Sequence, residues 1–158
     1  MKTIRTIKMS SENRTKSDVD PVRSAQMATV RGSNTGPELR VRKALHAMGF
    51  RYRLHRKDLP GRPDLVLPKY RAVVFVHGCF WHRHQDENCP LVRNVPKTRS
   101  EFWEQKFNEN VERDHRNQER LRDQGWRVFV VWECQVQSES TMYARLLDMA
   151  SQLEGSLK

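Results

Sequence analysis

The sequence predicts an α/β fold, a mixed β-sheet flanked by helices. Three observations predict it. Two valine-rich apolar runs, Arg71–His77 and Trp126–Trp132, read as buried strands. Apolar residues near the start, Val41, Ala44, Leu45 and Met48, recur at helical spacing. A second helical stripe, Met142, Leu146, Met149 and Leu153, closes the chain. The length of 158 residues suits one domain with a real core, and no internal repeat is visible.

Taken in order, residues 1–19 are polar and basic without periodicity and read as a flexible arm, leaving 20–158 as a single domain. Asp20-Pro21 resembles an N-cap followed by a first-turn proline, which predicts a short helix to Val30, broken by Gly32, Ser33 and Asn34. Thr35-Gly36-Pro37-Glu38 opens a stronger helix ending near Gly49. Arg51–Arg56 alternates, with Tyr52 and Leu54 on one face, as a strand does. Asp58–Arg62 is a Pro/Gly turn. Asp64–Leu67 is a short strand that pairs, across Pro68-Lys69-Tyr70, with Arg71–His77 as a hairpin. Thr98–Gln124 is a long charged helix closed by Gly125. Its inner face, Phe107, Val111, Asp114, Gln118 and Leu121, is only partly apolar, so Asp114 stands where a carboxylate needs a reason to point inward. The Trp126 strand follows and ends at Glu133-Cys134.

The formal charge of +10, from 29 Lys and Arg against 19 Asp and Glu, favours a polyanionic partner, most simply nucleic acid. Ten Lys and Arg against two Asp between Arg40 and Arg71 predict a basic surface beside the centre of the chain. Three cysteines argue against a closed disulfide framework. No apolar core of a signal peptide follows Met1 and apolar runs reach only about five residues, so neither secretion nor a membrane span is expected. The expected setting is the cytoplasm, where thiols stay free to hold a metal.

Chemistry concentrates between Leu59 and Cys89. Cys79-x4-His84-x4-Cys89 supplies three zinc ligands, and Cys134 at a distant strand end would supply a fourth. Three Cys and one His make a closed, tetrahedral, structural site. The loop 78–94 has little apolar content, and a metal tie would order what burial cannot. The competing reading is three unrelated cysteines, and spacing leaves His77 or His82 open as substitutes for His84. Asp64 at a strand mouth is a hard oxygen ligand suited to Mg²⁺. His77 closes the partner strand, and His82 follows on the same loop. Either histidine can move a proton from water or act at a phosphate. Glu38 fits the spacing of a capping box with Thr35, yet also stands three residues before Val41 on the inward face. His46, His55 and His115 have no comparable setting and read as surface residues.

The motifs LPGRPD (59–64), VHGCFWHRH (76–84), TRSEFW (98–103), NVERD (110–114) and GWRVFVVWEC (125–134) resemble the very short patch repair endonucleases, which nick DNA at T:G mismatches. The earlier GPELRVRKALHAMGFRYRLHRKDLPG also fits, and the resemblance covers roughly residues 20–134. It implies a restriction-endonuclease-like fold with one structural zinc. It implies Asp64 as the Mg²⁺ carboxylate with the Val76 carbonyl, His82 as general base, His77 at the phosphate, Glu38 as a supporting acid and Asp114 orienting His82. Zinc would be held by Cys79, His84, Cys89 and Cys134, and Phe80, Trp81 and Trp103 would form an aromatic wedge entering the DNA stack. The implied substrate is double-stranded DNA with a T:G pair arising from 5-methylcytosine deamination, nicked 5′ of the T. The implied protein is a monomer associated with the nucleoid, with mismatch-repair proteins as candidate partners. The chain departs from the family pattern in carrying Val76 where threonine is expected, and in a longer stretch, Gln85–Asn88, before Cys89. A zinc-stabilised binding module without catalysis is the rival from another class, and the joint presence of Asp64, His77 and His82 speaks against it. A restriction enzyme of the same fold is the other rival, and the adjacent aromatics of HGCFWH speak against that.

Overall fold

The computed structural model describes residues 32–92 and 95–155. The arm and the helix expected over Asp20–Val30 therefore lie outside the described residues, as does the boundary expected at residue 20. From Ser33 onward the chain clusters as one unit. No helix among the described residues is long and apolar enough to cross a membrane.

Helix α1 spans Gly36–Ala47. Thr35 caps it, its Oγ1 accepting from the Glu38 N–H at 3.4 Å, and Pro37 occupies the first turn where no N–H is missed. Strands β1 (Arg53–Leu54), β2 (Leu65–Leu67) and β3 (Ala72–His77) follow, then helix α2 (Ser100–Asp123), strand β4 (Arg127–Trp132) and helix α3 (Glu139–Gly155). Short 3-10 turns cover Pro68–Tyr70 and Glu133–Val136. The sheet among the described residues runs β1-β2-β3-β4, antiparallel across the first two pairs and parallel between β3 and β4. Among the described residues the result is a mixed α/β fold of a four-stranded sheet with three helices.

All six residues of β3 are buried, because the sheet is covered on both faces. Side chains alternate across a strand. Ala72, Val74 and Val76 share a core with Val41 and Leu45 of α1 and Leu146, Met149 and Leu153 of α3. Val73 and Phe75 share the other core with Leu121 of α2. By the same alternation His77 belongs on the α2 side. Gly125 closes α2 at φ +81, a left-handed conformation that suits glycine, and Arg71 donates to the Gln124 and Gly125 carbonyls at 2.7 and 3.1 Å. The hairpin and the end of α2 are thereby tied together.

Two strands differ from expectation. Arg51–Arg56 forms only the two-residue β1, both residues exposed, because His55 turns left-handed at φ +44 and ends the pairing. β4 is less buried than expected, with only Phe129 and Val131 buried, because it is an edge strand of the described sheet.

Candidate active site

The loop after β3 makes one tight turn. The His82 N–H donates to the Gly78 carbonyl at 3.1 Å, which swings His82 back over His77. The two imidazoles stack, with centroids 3.9 Å apart and planes 8° from parallel. Helix α2 passes alongside, and Asn110 donates to the Trp81 carbonyl at 3.1 Å. One turn further along the same face, the Asp114 carboxylate bonds His82 Nδ1. This gives the inward-facing Asp114 its partner. With Nδ1 engaged, the Nε2 of His82 is left for proton transfer.

Electrostatics separates these groups. Burial, and then the neighbouring His82, push His77 down to about 3, so its ring is neutral at working pH and offers a hydrogen bond instead of a charge. Burial alone would raise Asp114, but the hydrogen bond and charge of His82 outweigh it and hold the carboxylate below its ordinary range.

Asp64 sits immediately before β2. Its Oδ2 accepts from the Val76 N–H at 2.7 Å, so it stands beside the end of β3, as the hairpin predicts. Burial chiefly, and the Glu38 charge, push its carboxyl up to about 6 against the bond from Val76. Glu38 is 3% exposed and both caps and points inward. It accepts from the Asn34 N–H at 2.9 Å and pairs with Arg42 at 2.8 Å. Sequence reasoning missed His55, set aside as a surface residue. Its side chain is 31% exposed and approaches Glu38 at 3.9 Å and Asp64 at 4.0 Å. The one sequence signal for it was its place between a strand and the LPGRPD turn. Glu38, His55 and Asp64 converge closely enough to face one cation. A carboxyl pushed up by burial and then by a second carboxylate is what a hard divalent cation would relieve, so Asp64 with Glu38 beside it fits one.

Cys79, His84, Cys89 and Cys134 form a second cluster, their donor atoms all within 4.8 Å of one another. The parallel register explains it. His77 pairs with Trp132, so Cys79 and Cys134, each two residues beyond, emerge side by side. Cys134 Sγ lies 3.4 Å from His84 Nδ1, and the Cys134 N–H points at Cys79 Sγ at 3.4 Å. The longer Gln85–Asn88 stretch still returns Cys89 to the cluster. Burial pushes the Cys79 thiol up to about 12, and burial raises Cys134 as well. A donor set of three thiols and one imidazole in this arrangement is consistent with a zinc site.

Phe80 and Trp81 are both half-buried, while Trp103 is 8% exposed. Phe80 meets Trp81, Trp103 and Phe107 edge-on, at 5.1, 6.0 and 5.0 Å. Trp81 lies 6.1 Å from Trp103. Phe80 and Trp81 rest on an apolar bed supplied by α2, and Arg83 covers Phe107 at 4.9 Å.

Comparison with known proteins points to one family. The family model described as DNA mismatch endonuclease Vsr matches residues 17–88. The chain is 49% identical over 120 residues to "Type II nicking enzyme V.XorIIP" of Xanthomonas oryzae pv. oryzae, covering 76% of this chain and 85% of the relative. It is 47% identical over 112 residues to "DNA mismatch endonuclease Vsr" of Escherichia coli, covering 71% and 69%. It is 38% identical over 135 residues to "Type II nicking enzyme V.NmeAIP" of Neisseria meningitidis serogroup A, covering 85% and 94%.

Proposed function

This chain belongs to the Vsr family of DNA endonucleases, and from that premise we propose that it nicks one strand 5′ of the T in a T:G mismatch to start very short patch repair. The observation that carries this reading is that Phe80 and Trp81 share one tight turn with His77 and His82. A group that opens the stack and a group that cuts the backbone are then parts of one rigid loop. Unstacking costs less where pairing is already poor, so an aromatic wedge converts a weak pair into a recognised one.

In this reading His82 Nε2 takes a proton from the attacking water, while Asp114 holds the ring's other nitrogen and favours the imidazolium that results. Neutral His77 donates to a phosphate oxygen. The water oxygen bonds phosphorus, the bond to the 3′ oxygen breaks, and that oxygen takes a proton from solvent. A 5′-phosphate and a 3′-hydroxyl remain. Asp64, with Glu38 behind it and the Val76 carbonyl nearby, would hold Mg²⁺. Bound there, the cation would supply charge neutralisation at the phosphate. Cys79, His84, Cys89 and Cys134 would hold one structural zinc.

Two of these relatives are named type II nicking enzymes, which favours a second reading: mismatch nicking confined to a particular flanking sequence. One experiment addresses both. Duplexes carrying T:G or matched pairs in varied flanks are incubated with the protein and Mg²⁺, and the nicks are mapped. A single nick 5′ of the mispaired T is expected. Preference for T:G should collapse in Trp81→Ala, with a stability loss well short of the roughly 3–5 kcal/mol of a core aromatic deletion. Equal nicking of matched duplex by the wild-type protein would overturn the reading.

A further inference from the structure

We propose that His55 is a positioning residue for Asp64, presenting its Nδ1–H to that carboxylate in a tautomer that Arg42 dictates; the inference rests on the reading of Asp64 as the cation-binding carboxylate. Arg42 is buried, and its guanidinium reaches three partners: Asn34 Oδ1 at 2.6 Å, Glu38 Oε2 at 2.8 Å and His55 Nε2 at 2.8 Å. A guanidinium only donates. His55 Nε2 must therefore accept, and the ring carries its proton on Nδ1. That nitrogen faces Asp64 Oδ1 at 4.0 Å. The other carboxylate oxygen, Oδ2, already accepts from the Val76 N–H. Asp64 is thus gripped by the main chain on one oxygen and faced by an imidazole donor on the other.

The backbone supplies a separate argument. His55 is left-handed at φ +44, a conformation that costs a residue with a Cβ and persists only where the surroundings impose it. It ends β1 after two residues, at the expense of sheet pairing. The strain turns the ring from the sheet edge toward Glu38 and Asp64. The same geometry argues against His55 as a cation ligand itself. A ligand nitrogen needs a free lone pair, and here Nε2 accepts from Arg42 while Nδ1 carries the proton. The series Glu38–Arg42–His55 therefore runs by hydrogen bonds from the N-terminal turn of α1 to a ring whose Nδ1 faces Asp64 at 4.0 Å.

The test uses the full chain and two readouts: calorimetric binding of Mn²⁺ alone, and nicking of a T:G duplex as a function of Mg²⁺. Removing the partner of a ligating carboxylate weakens cation affinity by about 10-fold or more. His55→Ala should show that loss in Mn²⁺ binding and a matching rise in the Mg²⁺ needed for half-maximal nicking, with the KM for DNA unchanged. In His55→Gln the side-chain carbonyl can accept from Arg42 and the amide can donate to Asp64, so affinity should return to within about threefold of wild type. His55 is partly exposed and belongs to neither core, so both variants should fold, which zinc content and a thermal melt check. Wild-type Mn²⁺ affinity in His55→Ala would overturn the proposal. So would a His55→Gln variant as impaired as His55→Ala, since the imidazole itself would then be required. Asp64→Asn separates the two levels of inference. Unchanged Mn²⁺ affinity there would remove the cation reading of Asp64, and the role of His55 with it, whereas lost affinity there with normal His55→Ala overturns the role of His55 alone.

Discussion

Two clusters stand on either side of Trp132, and they are built on opposite principles. On its face, at 4.3 Å, lies His84 of the Cys/His cluster. At its edge, at 5.3 Å, lies His77 of the acid–imidazole cluster. In the first, soft donors converge on one another, with Cys79 and Cys89 fully or nearly buried. In the second, three groups already have partners of their own: Asp114 for His82, Val76 for Asp64 and Arg42 for Glu38. Donors that face only each other suit a cation that stays. Donors held from behind suit a substrate that comes and goes. The loop 78–84 feeds both clusters, so the closed one orders the backbone on which the open one depends.

The sharpest way to break this comparison is to strip the Cys/His cluster. Binding at such sites is folding energy, on the order of 10 kcal/mol. Protein purified without chelators should carry one zinc per chain by metal analysis. Chelation, or Cys134→Ser, should lower the melting temperature and abolish nicking together. Metal-free protein with an undiminished melt would make the two clusters energetically alike.

The second experiment leaves the closed cluster intact and disables the open one. Asp64→Ala and His82→Ala should each lose nicking by about 100-fold or more, with zinc content, melting temperature and mismatch binding retained. A parallel loss of zinc would mean that the clusters do not divide the labour in this way.

The smallest effect sharpens the electrostatic contrast. Asp64 has an ordinary value of 3.8 and is pushed up to about 6 in the fold. Between those values the folded chain keeps a proton that the unfolded chain has lost. Stability from this group is therefore full below about 4, falls as pH rises, and is lost above about 6. Without added divalent cation, Asp64→Asn should stabilise the zinc-loaded protein at pH 7.5 by no more than roughly 3 kcal/mol, and by little near pH 4. Denaturant melts at the two pH values check the sign. Mg²⁺ should shrink the difference at pH 7.5.

Much of the fold was readable because local signals agreed. The Thr35 cap, Pro37 and the Val41–Leu45 spacing place α1 where it forms. The α3 stripe of Met142, Leu146, Met149 and Leu153 is wholly buried. Asp114 stood out as a carboxylate on an otherwise inward face, and it meets His82. β1 was overread because alternation over Arg51–Arg56 says nothing of the left-handed turn at His55, whose ring meets Arg42 of another element.

By itself the sequence determined the residue types and their local periods: an α/β chain, a Cys₃His set, an Asp at a strand mouth and two histidines on one loop. Local hydrogen bonding and side-chain alternation act over a few residues, and that is the range over which a sequence states its own structure. Only the tertiary structure decided what meets across long separations. The parallel register of β3 and β4 sets Cys134 beside Cys79, and the packing of α2 sets Asp114 against His82. The turn at His55 brings an imidazole to Asp64, by way of a buried arginine that can only donate.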